Sequence, residues 1–169
     1  MTKKVTPYKR YKLKNGLEVV LYKMNEVRAV SMYLGLRAGS SNEGPLEVGT
    51  LHFLEHTLFQ GSSKHKTESE LIEYTESIGA SYNGGVSSYD TKYWYMCPDS
   101  KLEEMIDFAS DFIRRPILNE EDIEKTRSVI LTEISGAMSS PESKYTKRAW
   151  ELLFGIDSPY KWRGFGDSA

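Results

Sequence analysis

The order of the predicted elements indicates an α+β fold, a mainly antiparallel sheet with helices packed on it. Two strand-like segments flank Asn15-Gly16, a dipeptide favoured in tight hairpin turns. Large apolar residues then recur at every second position over residues 29–36, which predicts a third strand. A pair of helical segments, one further strand and a run of helices follow. This grouping favours α+β over the regular strand-helix alternation of a parallel sheet.

Local signals give the bounds of the later elements. Glycine and polar residues over 39–47 predict a loop, Thr67 is suited to cap a helix, and Gly84-Gly85 is interpreted as a break. Pro116 ends an amphipathic helix. The predicted helices span residues 48–59, 68–77, 101–115, 120–138 and 144–154, and the further strand spans residues 91–97.

Composition limits the class of protein. A chain of 169 residues with 39% hydrophobic content can bury one sizeable core, so residues 1–169 are expected to form a single domain. The net charge of -2 argues against nucleic-acid binding. No apolar run approaches the roughly 18 residues that span a bilayer. With one cysteine and a polar N-terminal sequence, the expected location is cytoplasmic.

The segment from His52 to His56 has the spacing of a metal site on a helix. Two imidazoles four residues apart share one helical face and can turn a ring nitrogen to the same ion. Glu55, beside them, can reach a water on that ion without being a ligand. Apolar neighbours, Leu51 and Leu58 among them, would bury the opposite side of the helix. The pattern therefore predicts a catalytic zinc.

A catalytic zinc has three protein ligands and one open position, so another residue must complete the set. Glu133 stands between Ile130 and Ile134 in an apolar stripe, where a carboxylate is costly unless it is paired or bound to a cation. The pattern alone leaves three alternatives open: Glu124 on the same helix, and Glu103 and Glu104 on the preceding one.

Two other reactive residue types are interpreted as structural. His65 follows a polar segment and is predicted to lie in a loop. Cys97, the only thiol, ends an apolar run over 93–97 with no histidine near it in sequence, so it is predicted to be a core residue. Catalysis by a side-chain nucleophile is therefore disfavoured.

Several separated segments occur in an order that is typical of one enzyme family. With the H-x-x-E-H order at residues 52–56, they resemble the inverzincins, the zinc metallopeptidase family of pitrilysin, insulin-degrading enzyme and mitochondrial processing peptidase. The resemblance runs from about Asn15 to the C-terminus. It rests on residues 15–20, 35–40, 49–61, 79–84, 90–93 and 129–134.

The resemblance implies a role for each residue of the metal motif. His52, His56 and Glu133 match the ligands of one Zn²⁺ per chain, and Glu55 matches the general base. The implied activity is that of a zinc-dependent endopeptidase or oligopeptidase, which hydrolyses peptide bonds through a metal-activated water.

Further matches concern the substrate and the surroundings of the metal. Asn83, Gly84 and Gly85 match an edge strand along which an unstructured peptide binds as an added strand, and Phe59 matches an aromatic residue that lines the cleft. The chain departs from the family at Thr126, where a glutamate often supports the site. Outer-shell partners can change metal affinity or activity by roughly tenfold or more.

Family members resemble a clamshell of two lobes. The chain matches most of an N-terminal lobe and is expected to lack the C-terminal part of that lobe and the second lobe, which would lie in the same longer chain or in a homologous partner subunit. The 169 residues alone are therefore expected to have weak activity or none. The alternative is a non-catalytic family subunit or partner lobe that assembles with an active chain. A zinc-storage protein would need a closed four-ligand site, and neither a second cysteine nor a nearby histidine supplies one.

Overall fold

Two antiparallel sheets and five α-helices make up the fold over residues 8–155 and 158, the part of the chain that the computed structural model describes. The predicted α+β class is confirmed. Among the described residues, no helix is both long and apolar enough to cross a membrane.

The first sheet is the predicted hairpin. Strands β1 (Lys9–Lys12) and β2 (Glu18–Leu21) pair antiparallel, and the Leu13 amide donates to the Leu17 carbonyl at 2.8 Å to close the turn. Gly16 has a φ of 90°, which a residue with a side chain rarely adopts. The turn predicted at Asn15-Gly16 is confirmed.

The second sheet has the order β3-β5-β4, with β3 (Ala29–Leu36), β4 (Ser81–Val86) and β5 (Thr91–Pro98) all antiparallel. The bounds predicted for β3 are confirmed. The break predicted at Gly84-Gly85 is wrong, because both glycines lie inside β4, where they pair with Tyr93 and Lys92 of the central strand. Within the described residues β4 is an edge strand, as the family resemblance implied.

The helices follow the predicted order with small shifts at their ends. Thr67 accepts a hydrogen bond from the Glu70 amide at 3.2 Å and caps its helix as predicted. The last helix begins at Pro141, earlier than predicted, because proline suits the first helical turn, where its missing N–H has no partner to lose. The helices are α1 (Thr50–Leu58), α2 (Glu68–Ser77), α3 (Leu102–Arg114), α4 (Glu120–Ser139) and α5 (Pro141–Phe154).

The core lies between the inner face of β5 and helices α2 and α3. Alternate residues of β5, namely Tyr93, Tyr95 and Cys97, are buried against the apolar face of α3. Cys97 is confirmed as a core residue, and burial, aided by the Glu104 charge, raises the pKa of its thiol. The ring of His65 packs against the ring of Tyr74, with the two centroids 4.5 Å apart. This contact is consistent with the structural role predicted for His65. The remaining fully buried side chains include Leu71, Met105, Phe108 and Phe112.

Candidate metal centre

Helix α1 presents three of the predicted site residues on the side that contacts α4 and β4. His52 and Glu55 are buried, with 7% and 6% of their surfaces exposed, and His56 is partly exposed. One end of the site is thus enclosed by protein and the other, at His56, is open to solvent. A catalytic centre needs both a shielded base and access for a substrate.

The two imidazoles and the carboxylate of Glu133 converge on one point. His52 Nε2 and His56 Nε2 are 3.1 Å apart, with their rings perpendicular. Glu133 Oε2 lies 3.7 Å from His52 Nε2 and 3.3 Å from His56 Nε2. Donor atoms held roughly 2.0 to 2.1 Å from a tetrahedral zinc are about 3.4 Å from one another. All three separations are close to this value, so the donor set fits zinc.

Glu55 forms a second possible grouping with the same histidines. The ligand atoms of His52, Glu55 and His56 all lie within 4.8 Å of one another, and Glu55 Oε2 is 3.8 Å from His56 Nε2. Glu133 Oε2 lies closer to His56 Nε2, at 3.3 Å. These distances favour Glu133 as the third donor and leave Glu55 beside the metal position.

The electrostatic surroundings of Glu55 suit proton transfer near neutral pH. Burial, and secondly the negative charge of Glu133, raise the pKa of Glu55 to about 7. The backbone of Gly84 approaches the same carboxylate so closely that an added Cβ would lie 2.5 Å from Glu55 Oε1. A cation between the carboxylates would stabilise their charged forms and lower this pKa.

The structure brings the predicted substrate strand to the base and packs Phe59 on the same strand. Gly84 of β4 faces Glu55, whereas Asn83 is exposed and its side-chain oxygen accepts a hydrogen bond from the Gly84 amide at 2.8 Å. The Phe59 ring stacks on Tyr82 with centroids 5.4 Å apart, on the core side of α1. Its role in lining the cleft stays a prediction.

The alternative third ligands are either paired with a cation or exposed. Glu124 is 61% exposed and pairs with Arg127 at 3.2 Å on the outer face of α4. Glu104 pairs with Lys101 at 2.8 Å, and Glu103 is exposed on α3. The three-dimensional arrangement thus separates Glu133 from the residues that the sequence pattern could not exclude.

Two further residues are buried, Tyr93 beside Glu55 and Thr126 on the helix that carries Glu133. Tyr93 was missed by sequence reasoning, which identified only its strand; burial, followed by the Glu55 charge, raises the pKa of its phenol. Thr126, the noted departure from the family, lies two turns before Glu133 on α4 and is 1% exposed. Its hydroxyl makes no hydrogen bond to the described residues.

The family profile of "Insulinase (Peptidase family M16)" matches residues 18–154. The chain therefore belongs to this peptidase family, and the resemblance noted in the sequence is confirmed. An uncharacterized zinc protease of Rickettsia bellii is 32% identical over 85% of this chain, and an insulin-degrading enzyme homolog of Dictyostelium discoideum is 36% identical over 78% of it.

Solved structures share the fold. A protease from Helicobacter pylori covers 96% of the chain with a TM-score of 0.88 at 22% identity, and a peptidase M16 inactive domain from Pseudomonas fluorescens covers 95% with a TM-score of 0.85 at 17% identity. The chain spans only 34% of the Rickettsia protein, 14% of the Dictyostelium protein and 39% of each structure.

Proposed function

We propose that the protein containing this chain is a zinc-dependent endopeptidase or oligopeptidase. His52, His56 and Glu133 would hold one zinc ion, and Glu55 would be the general base. The observation that carries the proposal is the convergence of three donor atoms at 3.1, 3.3 and 3.7 Å beside a buried carboxylate. Membership of a peptidase family with relatives named zinc proteases supports it.

Zinc at this position would supply a Lewis acid that polarises the scissile carbonyl and lowers the pKa of a water. Glu55 would take a proton from the attacking water as the oxygen of that water bonds to the carbonyl carbon. The same carboxyl then gives the proton to the departing amine as the carbon–nitrogen bond breaks. Burial of Glu55 raises the pKa of its carboxyl and so favours uptake of the proton, whereas zinc bound between the carboxylates would act in the opposite direction.

We propose that the substrate is an unstructured peptide that pairs with the edge of β4. Asn83, Gly84 and Gly85 would offer main-chain hydrogen bonds, which tolerate many side-chain sequences. The close approach of Gly84 to Glu55 supports this arrangement, because a peptide paired there would pass near the base. Phe59, whose ring stacks on Tyr82 of β4, would line the cleft near the metal.

The remainder of the proposal concerns what lies outside this chain. A second lobe, in the same longer chain or in a homologous partner subunit, would close over the bound peptide; the small share of its relatives that the chain spans supports this. The absence of a second cysteine supports a cytoplasmic location.

The alternative function, a non-catalytic subunit that assembles with an active chain, is favoured by the likeness in fold to an M16 inactive domain.

Metal analysis and peptide hydrolysis on the same full-length gene product distinguish the two functions. The enzyme should contain about one zinc per chain, cleave an unstructured peptide, lose that activity to a chelator and regain it with added zinc. Zinc without hydrolysis in the assembled protein would favour the non-catalytic subunit. Absence of zinc would refute the metal site.

A further inference from the structure

The N-terminus of helix α1 has no side-chain cap of its own. Its capping position is Gly49, which has a φ of 89° and no side chain to accept from the first-turn amides. These amides need acceptors, since no earlier turn of the helix provides them. Uncapped, the first turn, which includes His52, would fray.

The missing acceptor comes from Glu43, which precedes the helix in a partly buried loop. Its Oε2 accepts a hydrogen bond from the Gly49 amide at 2.8 Å, and its Oε1 accepts one from the Leu51 amide at 2.7 Å. Both oxygens of one carboxylate are thus used, and its negative charge lies at the positive end of the helix dipole. Leu51 is the residue directly before His52, so this contact fixes the backbone that carries the ligand.

Glu43 is itself held by the turn between β4 and β5. The amides of Ser40 and Ser41 donate to the carbonyls of Ser87 and Ser88 at 2.9 and 3.0 Å. Gly39 approaches the same turn so closely that an added Cβ would lie 2.5 Å from the Ser87 carbonyl oxygen. The loop therefore joins the β4–β5 turn to the start of α1.

We propose that Glu43 is a positioning residue, which caps α1 from outside and thereby fixes the backbone of His52 and Glu55 relative to β4. The inference deepens the proposed function and rests on it for its consequence in zinc binding. Glu43 lies at the far end of a hydrogen-bonded path from the β4–β5 turn to the helix, and it acts on the metal through His52.

Glu43→Gln in the full-length protein is the sharpest test. Glutamine has nearly the same shape but a single acceptor oxygen, and its NH₂ group would face an amide donor. The matched control is Glu47→Gln in the same loop, where the carboxylate accepts a hydrogen bond from the Gly44 amide at 2.9 Å, outside α1. The two variants lose the same charge near the same helix, but only the first loses the cap.

Two readouts are needed. Zinc affinity, measured by chelator competition at a temperature where both variants are folded by circular dichroism, should fall roughly 3- to 30-fold in Glu43→Gln and remain unchanged in Glu47→Gln. Amide hydrogen exchange without added metal should accelerate over residues 49–54 in the first variant alone. A residue that only stabilised the fold would lower the unfolding temperature without altering the zinc affinity of the folded protein.

The outcomes separate this inference from the proposed function. If the wild type binds no zinc, the proposed function fails, and the exchange of residues 49–54 still decides the cap. If the wild type binds zinc and Glu43→Gln matches it in both affinity and exchange, Glu43 is not a positioning residue. Equal losses in Glu47→Gln would also overturn the inference, because loss of loop charge would then explain them.

Discussion

His56 Nε2 lies 3.3 Å from Glu133 Oε2 although the two residues belong to different helices, α1 and α4. The chain between them forms α2, strands β4 and β5, and α3. The contact therefore exists only once the fold has brought the two helices together. If these residues bind zinc as proposed, zinc affinity would depend on the tertiary structure as well as on the identity of the ligands.

Replacing any proposed ligand should lower zinc occupancy sharply. In His52→Ala, His56→Ala or Glu133→Ala we expect zinc affinity to fall by at least about 100-fold, since even outer-shell partners contribute roughly 10- to 100-fold. Metal content after dialysis against a weak chelator measures this. Glu124→Ala is the matched control on α4, because Glu124 pairs with Arg127 and should not change occupancy. Full occupancy in Glu133→Ala would place the third ligand elsewhere.

The base should be separable from the ligands. Glu55→Gln removes the proton acceptor but keeps the side-chain shape, so we expect zinc content to stay the same while peptide hydrolysis falls by at least about 100-fold. Metal analysis and turnover are measured on one sample of the full-length protein. Loss of zinc together with activity would identify Glu55 as a ligand.

The close contact between Gly39 and the β4–β5 turn predicts a cost for any side chain there. Gly39→Ala would place a Cβ 2.5 Å from the Ser87 carbonyl oxygen and from the Tyr89 amide nitrogen, both rigid backbone atoms. We expect the free energy of unfolding to fall by about 1–3 kcal/mol, measured by urea denaturation. Gly136→Ala on α4 is the control: its Cβ would meet nothing within 4 Å, and alanine should stabilise the helix by roughly 0.5–1 kcal/mol.

Asp111 should make the stability of the fold sensitive to acid. Burial would raise the pKa of this carboxyl, but hydrogen bonds from Ser63 and Ser62 and from the Lys64 amide, with the Arg115 charge, outweigh it and hold the pKa below its usual value. A folded-state pKa below the unfolded one gives stability that is present above the unfolded pKa, near 3.9. That stability is lost as the pH falls through the folded pKa.

Asp111→Asn tests this linkage. The variant should be about 1–3 kcal/mol less stable than wild type at pH 7, and the difference should shrink as the pH falls below roughly 4, because the wild type then loses what the variant never had. Urea denaturation at several pH values measures it. Asp107→Asn on the same helix, 61% exposed in its pair with Lys64, should change stability by no more than about 0.5 kcal/mol. A constant difference at all pH values would contradict the assignment.

The 169 residues alone are predicted to bind zinc but to cleave peptides at least about 100-fold more slowly than the full-length protein. The ligands and base would be present, but no second lobe would hold the peptide in register or exclude water. Turnover of the purified chain, before and after the remaining sequence or a partner lobe is supplied, measures this. Robust chelator-sensitive cleavage by the chain alone, absent in its Glu55→Gln variant, would show that the second lobe is dispensable.

Local pattern predicted much of this molecule. The alternation of apolar residues predicted the bounds of β3, and the spacing of His52 and His56 predicted that both lie on one helix, α1. Gly84-Gly85 misled because glycine usually marks a turn, whereas here Gly84 leaves space for the Glu55 carboxylate between strand and helix. Proximity between helices is not visible in a helical pattern, so the sequence left several carboxylates open as the third ligand.

The Glu43 cap shows the same limit. A capping residue is normally sought at the first position of a helix, and Gly49 occupies it here. The acceptor lies six residues earlier than the Gly49 amide that it binds and is brought there by a loop conformation. Its position depends on the backbone contact at Gly39, which no propensity or periodicity encodes.

The single thiol of the chain makes the opening of its core observable. Cys97 is only 4% exposed, between the sheet and α3, and burial raises its pKa. An alkylating reagent therefore modifies Cys97 only while the sheet and α3 are transiently separated. When the core closes faster than the reagent reacts, the labelling rate measures the free energy of this opening. A ligand that stabilises the whole fold against opening would slow this labelling. A ligand that orders only the solvent-exposed side of the candidate metal centre would leave the labelling rate unchanged.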